Sequence, residues 1–399
     1  MSPAGVAEAD MVVLNTCTVT ALADQDVRKA VHRVHRENPA ARILVTGCYA
    51  QRAPEELAVL PGVYWVVGNS HKIEIPRIVA EPETPYHGQI HVGDIFATRE
   101  FLSAPVEDAA GERTRPNLKI QDGCNNRCSF CIIPFVRGRS RSAPAEQVID
   151  QVRSLAGRYR EVVLSGISLG RWGREPGSSV RLAGLIRRLL DETPIERLRL
   201  SSVEPMDWSN DLLDLVASEP RIAKHVHAPL QSGSDSVLRR MHRKYRPRHY
   251  AERVLKARAA MPDAAIGADV MTGFPGETDE EFEESRAFIE NLPFTYLHVF
   301  TYSERPGTPA AQSLEQVPME VRKERNRILR DLAAGKNLEF RRQMIGHTLS
   351  VVTLVEGALS NNFLKVDLAT PWAANQLIDV RIGSISAAGL REHSPLAVL

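Results

Sequence analysis

Apolar and polar positions follow two periods along the chain, and the changes of period mark its elements. Residues 11–14 and 42–46 are short apolar runs, ending at Asn15 and at Gly47-Cys48. Between them, residues 21–37 carry Val27, Ala30, Val31 and Val34 at near-helical spacing with charges between, and Asn38-Pro39 stops that helix. Residues 54–60 read as a helix with Pro54 in its first turn, and residues 63–67 as a third strand. Strand–helix–strand alternation predicts a small parallel α/β domain over residues 1–80.

The pattern dissolves over residues 81–115, where Pro82, Pro85, Pro105 and Gly111 predict an irregular linker with one strand at 90–92. Alternation then resumes. Strands are expected at 118–120, 161–164, 197–200, 225–229, 265–271 and 296–300. Helices are expected near 145–155, 181–190, 210–217, 235–241, 250–260 and 278–290. Six such units fit a partial (β/α)6 barrel, a fold that gathers chemistry at the C-terminal strand ends. Residues 321–342 form a charged amphipathic helix with Ile328, Leu329 and Leu332 on its apolar side. Strands at 349–355, 362–366 and 377–382 predict a small β-barrel. The expected division is an α/β domain at 1–80, a linker at 81–115, a core at 116–342 and a barrel at 343–399.

Composition narrows the class. Of 399 residues, 43 % are hydrophobic and 25 % charged, which excludes a disordered chain. Fifty basic side chains meet 49 acidic ones, so nucleic-acid binding would have to use local patches. Two candidates are Arg137, Arg139 and Arg141, and the run Arg239, Arg240, Arg243, Lys244, Arg246 and Arg248 interleaved with Tyr245, His249 and Tyr250. Apolar runs fall short of a membrane span, and the start lacks a basic stretch followed by an apolar one. The expectation is a cytoplasmic protein without a membrane partner.

Five cysteines, three of them within residues 124–131, point to metal ligation rather than a disulfide framework. Cys124, Cys128 and Cys131 have the spacing C-x3-C-x2-C after a strand that breaks at Asp122-Gly123. Three thiolates hold three irons of a cubane and leave the fourth open to chelate a substrate or cofactor. A zinc knuckle would want a further close pair or a histidine, and this loop has neither. Cys17 and Cys48 each follow a strand; they read as two thiols facing one crevice or as buried free cysteines. His227, within an apolar strand, reads as a core histidine.

The loop is similar to the signature of the radical S-adenosylmethionine enzymes. NTCTVT, VTGCYAQ, IQDGCNNRCSFCIIPFVRGRSRS, LRLSSVEP, HAPLQSGSDSVLRRM, DVMTGFPGET and FTYSERPGTPA together resemble the methylthiotransferases of that superfamily, most of all the MtaB type. The resemblance implies conversion of threonylcarbamoyladenosine at position 37 of tRNA to its 2-methylthio derivative. Sister branches act on isopentenyladenosine in tRNA or on ribosomal protein S12, and a non-catalytic Fe–S RNA-binding protein is the rival of another class. It implies a 4Fe–4S cluster on Cys124, Cys128 and Cys131 that binds S-adenosylmethionine. A second, auxiliary 4Fe–4S cluster would use Cys17 and Cys48. Ser165, Gly166, Glu204, Gln231 and Ser232, at strand ends, are the implied S-adenosylmethionine or substrate contacts, and Gly273 to Gly276 the turn near adenosine. The implied partners are the tRNA anticodon loop, an electron donor such as flavodoxin or ferredoxin, and a sulfur donor. The tail resembles a TRAM domain. The family's third auxiliary cysteine lies well upstream of Cys17, where this sequence has sixteen residues and no cysteine; a labile or absent second cluster is therefore expected.

Overall fold

A computed structural model describes residues 4–80, 88–103 and 114–394. They fall into two compact units. One comprises Met1–Leu102, Gly123–Arg141 and Ser303–Ser313, the other Ser103–Asp122, Ser142–Tyr302 and Leu314–Leu399.

In the first unit, Met11–Thr16, Arg42–Gly47, Val63–Gly68 and Gln89–His91 form a parallel sheet in that order. The helix Ala21–Glu37 spans the expected residues because both ends are encoded: the Thr20 side chain accepts from the Ala23 N–H, and Asn38 closes the last turn. Its Val31 and Val34 pack with Ile43, Val45, Tyr49 and Leu57. A helix that the pattern did not reveal, Cys48–Arg52, starts directly after the second strand. Gly47 makes the turn at φ +103°, and a Cβ there would lie 2.4 Å from the Thr16 carbonyl oxygen. Cys48 therefore opens a helix and is buried. Inside this unit, Asp24 is buried, and Arg52 and Arg305 reach it at 3.1 and 2.7 Å.

In the second unit, Asn117–Asp122, Glu161–Gly166 and Arg197–Leu200 are parallel, as are His225–His227, Ala265–Thr272 and Tyr296–Thr301. The six strands form two sheets rather than one continuous wall. The join consists of an isolated bridge, Leu198 to Ile222, and of the Val203 N–H donating to the His227 carbonyl. The fourth strand is shorter than expected, ending at His227 two residues before Pro229, which has no N–H to give a ladder. Strand alternation puts Leu118, Ile120, Val162, Leu164 and Leu198 on one buried face. The opposite face is polar: Glu161, Arg197, Arg199, His225, His227, Asp269 and Tyr296.

After the helix Met319–Gln343, five strands close into a barrel in the order Thr348–Thr353, Ala358–Ser360, Lys365–Asp367, Leu390–Glu392 and Leu377–Ile385. Phe340 of the helix and Met344, just past its end, join Leu349, Val351, Val366, Val380 and Ile382 in its core. Two of these strands, three residues each, were not foreseen; they are too short to show a period.

Candidate functional site

The loop after Asp122 carries Cys124, Cys128 and Cys131, all half-buried. Its ends are tied within its own unit. The Cys124 N–H donates to the Gly138 carbonyl at 3.1 Å and the Ser140 N–H to Asn125 Oδ1 at 3.0 Å. Gly123, at φ +71°, admits the Arg139 carbonyl where a Cβ would clash at 2.0 Å. Inside the loop, the Cys131 N–H donates to the Cys128 carbonyl, and the Asn126 N–H points at Cys124 Sγ at 3.4 Å. From the Ser303–Ser313 segment, the Ala310 N–H donates to the Ser129 carbonyl at 2.9 Å. Arg127 lies over the rings of Phe96 and Phe135, 5.4 and 5.3 Å from their centroids. Three sulfurs on one pinned loop form a donor set for an iron–sulfur cubane.

Cys17 is exposed and Cys48 buried. The buried sulfur has donors: Arg137 Nε at 3.0 Å and Asn69 Nδ2 at 3.7 Å. Asn69 also donates to the Val136 carbonyl at 2.8 Å, and Ile132 and Val136 pack against Cys48. Two sulfurs are a partial donor set.

The expected strand-end contacts occupy distinct settings. Ser165 and Gly166 end their strand half-buried, and a Cβ at Gly166 would meet Gln121 at 2.9 Å. Gln121 Oε1 accepts the Ser168 N–H at 2.6 Å. Glu204 pairs with Arg243 at 2.5 Å. Gln231 adopts φ +66° and keeps its side-chain oxygen buried without a hydrogen bond among the described residues. The Ser232 hydroxyl meets that of Ser285 at 2.9 Å and accepts the Ser234 N–H, which fixes a turn. Gly273 and Gly276 both lie at positive φ, 70° and 73°.

The basic patches separate into individual tasks. Of the first three arginines, Arg137 faces Cys48, Arg141 is buried, and Arg139 is exposed. In the second run, Arg239 and Arg246 pair with Asp235, Arg240 with Glu281, and Arg243 with Glu204. Tyr245 and Tyr250 are buried, and their hydroxyls donate to backbone carbonyls. Neither ring is available for base stacking, which corrects the sequence expectation; Lys244 and Arg248 remain exposed.

The polar face of the second unit holds a group that sequence reasoning passed over. A cavity of about 280 Å³ is lined by Arg199, His225, His227, Tyr296, His298 and Phe363, among others. The Tyr296 hydroxyl lies 2.6 Å from His225 Nε2 and 2.8 Å from His227 Nδ1. Asp269 Oδ1 lies 3.1 Å from His227 Nε2 and 3.2 Å from His298 Nδ1. Burial pushes Asp269 upward, but the two imidazoles outweigh it and hold its carboxyl below the usual range. Burial, then Arg199 and the other histidines, pushes His225 well below the ordinary imidazole value. Gly267 makes the arrangement possible: a Cβ there would lie 1.9 Å from the Tyr296 ring. The sequence signal was two histidines with a spacing of two on one strand, which place both rings on one face.

Beneath this group, Glu161 is fully buried with Arg199 at 2.8 Å, Arg115 at 3.3 Å and Arg197 at 3.7 Å. Arg199 also donates to the Ser360 and Asn361 carbonyls of the tail barrel.

Fold and cysteine loop define a radical S-adenosylmethionine core, and the model of the radical SAM superfamily matches residues 118–289. Residues 3–68 match an uncharacterized protein family, UPF0004. The chain is 39 % identical over 360 residues to the threonylcarbamoyladenosine tRNA methylthiotransferase MtaB of Aquifex aeolicus, covering 90 % of this chain and 87 % of that protein. It is 40 % identical over 351 residues to the MtaB of Bacillus subtilis, covering 86 % and 76 %. Identity to a tRNA-2-methylthio-N(6)-dimethylallyladenosine synthase of Desulforamulus reducens is 32 % over 391 residues, covering 94 % and 85 %. The chain belongs to the radical S-adenosylmethionine methylthiotransferases of the MtaB type. That family implies a 4Fe–4S cluster and S-adenosylmethionine.

Proposed function

We propose that this protein converts N6-threonylcarbamoyladenosine at position 37 of tRNA to its 2-methylthio derivative. The observation that carries the reading is the pinned loop of three half-exposed thiols in a chain 39 % identical to an MtaB enzyme over 90 % of its length. Cys124, Cys128 and Cys131 hold the cluster; with S-adenosylmethionine bound, it supplies the one-electron cleavage needed to attack an unreactive aromatic C–H. The protein's own part is to hold and orient. Gly123 and the Gly138 carbonyl fix the loop, and Arg127 is clamped between two rings beside it. Ser165, Gly166, Glu204 and Gln231 are assigned to cofactor or substrate contact; of these, the buried, unbonded oxygen of Gln231 has the most capacity left for a donor.

Cys17 and Cys48 are assigned to an auxiliary cluster for sulfur delivery. Arg137 and Asn69 donate to the Cys48 sulfur, as donors around a cluster ligand would, which supports that role. The tail barrel is assigned to tRNA binding, with exposed Lys365, Arg381 and Arg391 as phosphate contacts. An electron donor such as flavodoxin or ferredoxin, a sulfur donor and a cytoplasmic setting complete the reading; no described helix is long and apolar enough to cross a membrane.

The test is anaerobic reaction of the cluster-loaded chain with reductant, sulfide, S-adenosylmethionine and tRNA carrying threonylcarbamoyladenosine, followed by mass spectrometry of nucleosides. Product with the 2-methylthio mass shift supports the reading. Product formed only from isopentenyladenosine tRNA or ribosomal protein S12 transfers the chain to a sister branch.

A further inference from the structure

The Tyr296 hydroxyl takes the Nδ1 side of His227, and the Nε2 side faces Asp269. The tyrosine hydroxyl has one hydrogen and stands between two imidazole nitrogens, so it donates to one and accepts from the other. His225 Nδ1 is buried and closes no hydrogen bond among the described residues, so both directions fit the geometry.

With Nδ1 taken by Tyr296, His227 Nε2 faces Asp269 Oδ1 3.1 Å away. His227 is only 4 % exposed, and Nε2 closes no hydrogen bond among the described residues. A second nitrogen, His298 Nδ1, lies 3.2 Å from the same carboxylate oxygen. The three ligand atoms all lie within 4.8 Å of one another. Neighbouring ligand atoms around an ion with bonds of about 2.0–2.2 Å stand about 3 Å apart. The outer arrangement also suits a metal: a ligating histidine usually donates its other ring hydrogen to an oxygen, and the Tyr296 hydroxyl oxygen stands 2.8 Å from His227 Nδ1.

We propose that His227 Nε2, Asp269 and His298 Nδ1 bind one divalent first-row metal ion in the lumen of the second unit, using no cysteine. Two imidazoles and one carboxylate suit Zn²⁺, Fe²⁺ or Mn²⁺, and the adjacent 280 Å³ cavity gives water access to the remaining coordination positions. The inference does not depend on the methylthiotransferase reading, since neither the thiols nor tRNA enter it.

The experiment is a Mn²⁺ titration of the full-length, cluster-loaded chain, with free Mn²⁺ read by room-temperature EPR. Manganese avoids competition from thiolates. About one Mn²⁺ per chain is expected, displaced by Zn²⁺. His298→Ala, at an exposed residue, should weaken binding at least tenfold with unchanged circular dichroism and iron content. Tyr296→Phe should weaken it about tenfold through the outer contact. Binding that survives His298→Ala undiminished would place the ion elsewhere and overturn the proposal. So would absence of Mn²⁺ and Zn²⁺ binding together with a doubly protonated His227 by ¹⁵N NMR, which would show that a proton fills the gap.

Discussion

Arg137 Nε lies 3.0 Å from Cys48 Sγ, so the short helix that follows the C-x3-C-x2-C loop reaches the buried cysteine that opens the helix after the second strand of the N-terminal sheet. One structural unit thus holds both cysteine groups, and a cation from the neighbourhood of one bears on a sulfur of the other. Hydrogen bonds to ligand sulfur raise the reduction potential of a cluster by stabilising its more negative form.

With the proposed clusters in place, Arg137→Met should therefore lower the potential of the one on Cys48, while the one on Cys124, Cys128 and Cys131 keeps its own. An EPR-monitored redox titration reads both. Unchanged potentials would show that the arginine does not act on that sulfur.

Cys128→Ala should abolish reductive cleavage of S-adenosylmethionine to 5′-deoxyadenosine, because two thiolates of one loop cannot replace three. Chromatographic assay of 5′-deoxyadenosine measures it. Cleavage at the wild-type rate would remove this loop from the radical chemistry.

Glu161→Gln should destabilise the second unit by about 3–5 kcal/mol, since it leaves buried Arg197 and Arg199 without their counter-charge. Burial raises the Glu161 carboxyl, but Arg199, Arg115 and Arg197 outweigh it and hold it below the ordinary range. A depressed folded value means that the contribution is fully present above the unfolded carboxylate value of about 4.3 and disappears as pH falls through the folded one. Denaturant unfolding of wild type and variant from pH 7 to pH 3 should show the gap closing toward acid.

Replacing Lys365, Arg381 and Arg391 together by alanine should weaken tRNA binding and flatten its salt dependence by up to about three in the log–log slope. Filter binding across salt concentrations gives the slope. An unchanged slope would assign tRNA contact to other surfaces, with exposed Lys244 and Arg248 next in line.

Much of the fold was legible because local signals agreed. The helix Ala21–Glu37 had a cap, a periodic face and a stop, and the strand Arg197–Leu200 stood between turns. Features decided by distant partners were not legible. Nothing local shows that Arg240 meets Glu281 or that Tyr245 points inward; the run reads as a basic surface until its counter-charges are folded against it. The lumen group was hidden for the same reason. His227 reads as a core residue by its strand, and Asp269 and His298 come beside it only through the parallel register that pairs them. The cysteine loop was legible because its ligands sit within eight residues.

Phe363 stacks on His225 with ring centroids 4.3 Å apart and holds φ at +66°, a conformation costly for an aromatic residue. The tail barrel thus supplies part of the floor of the lumen as well as an outer surface. Exchange of this tail between family members would not be modular. A chimera that kept the exposed basic residues of the tail but lost the loop around Phe363 would open the cavity from below, and its defect would register in the unbound protein before any tRNA was added.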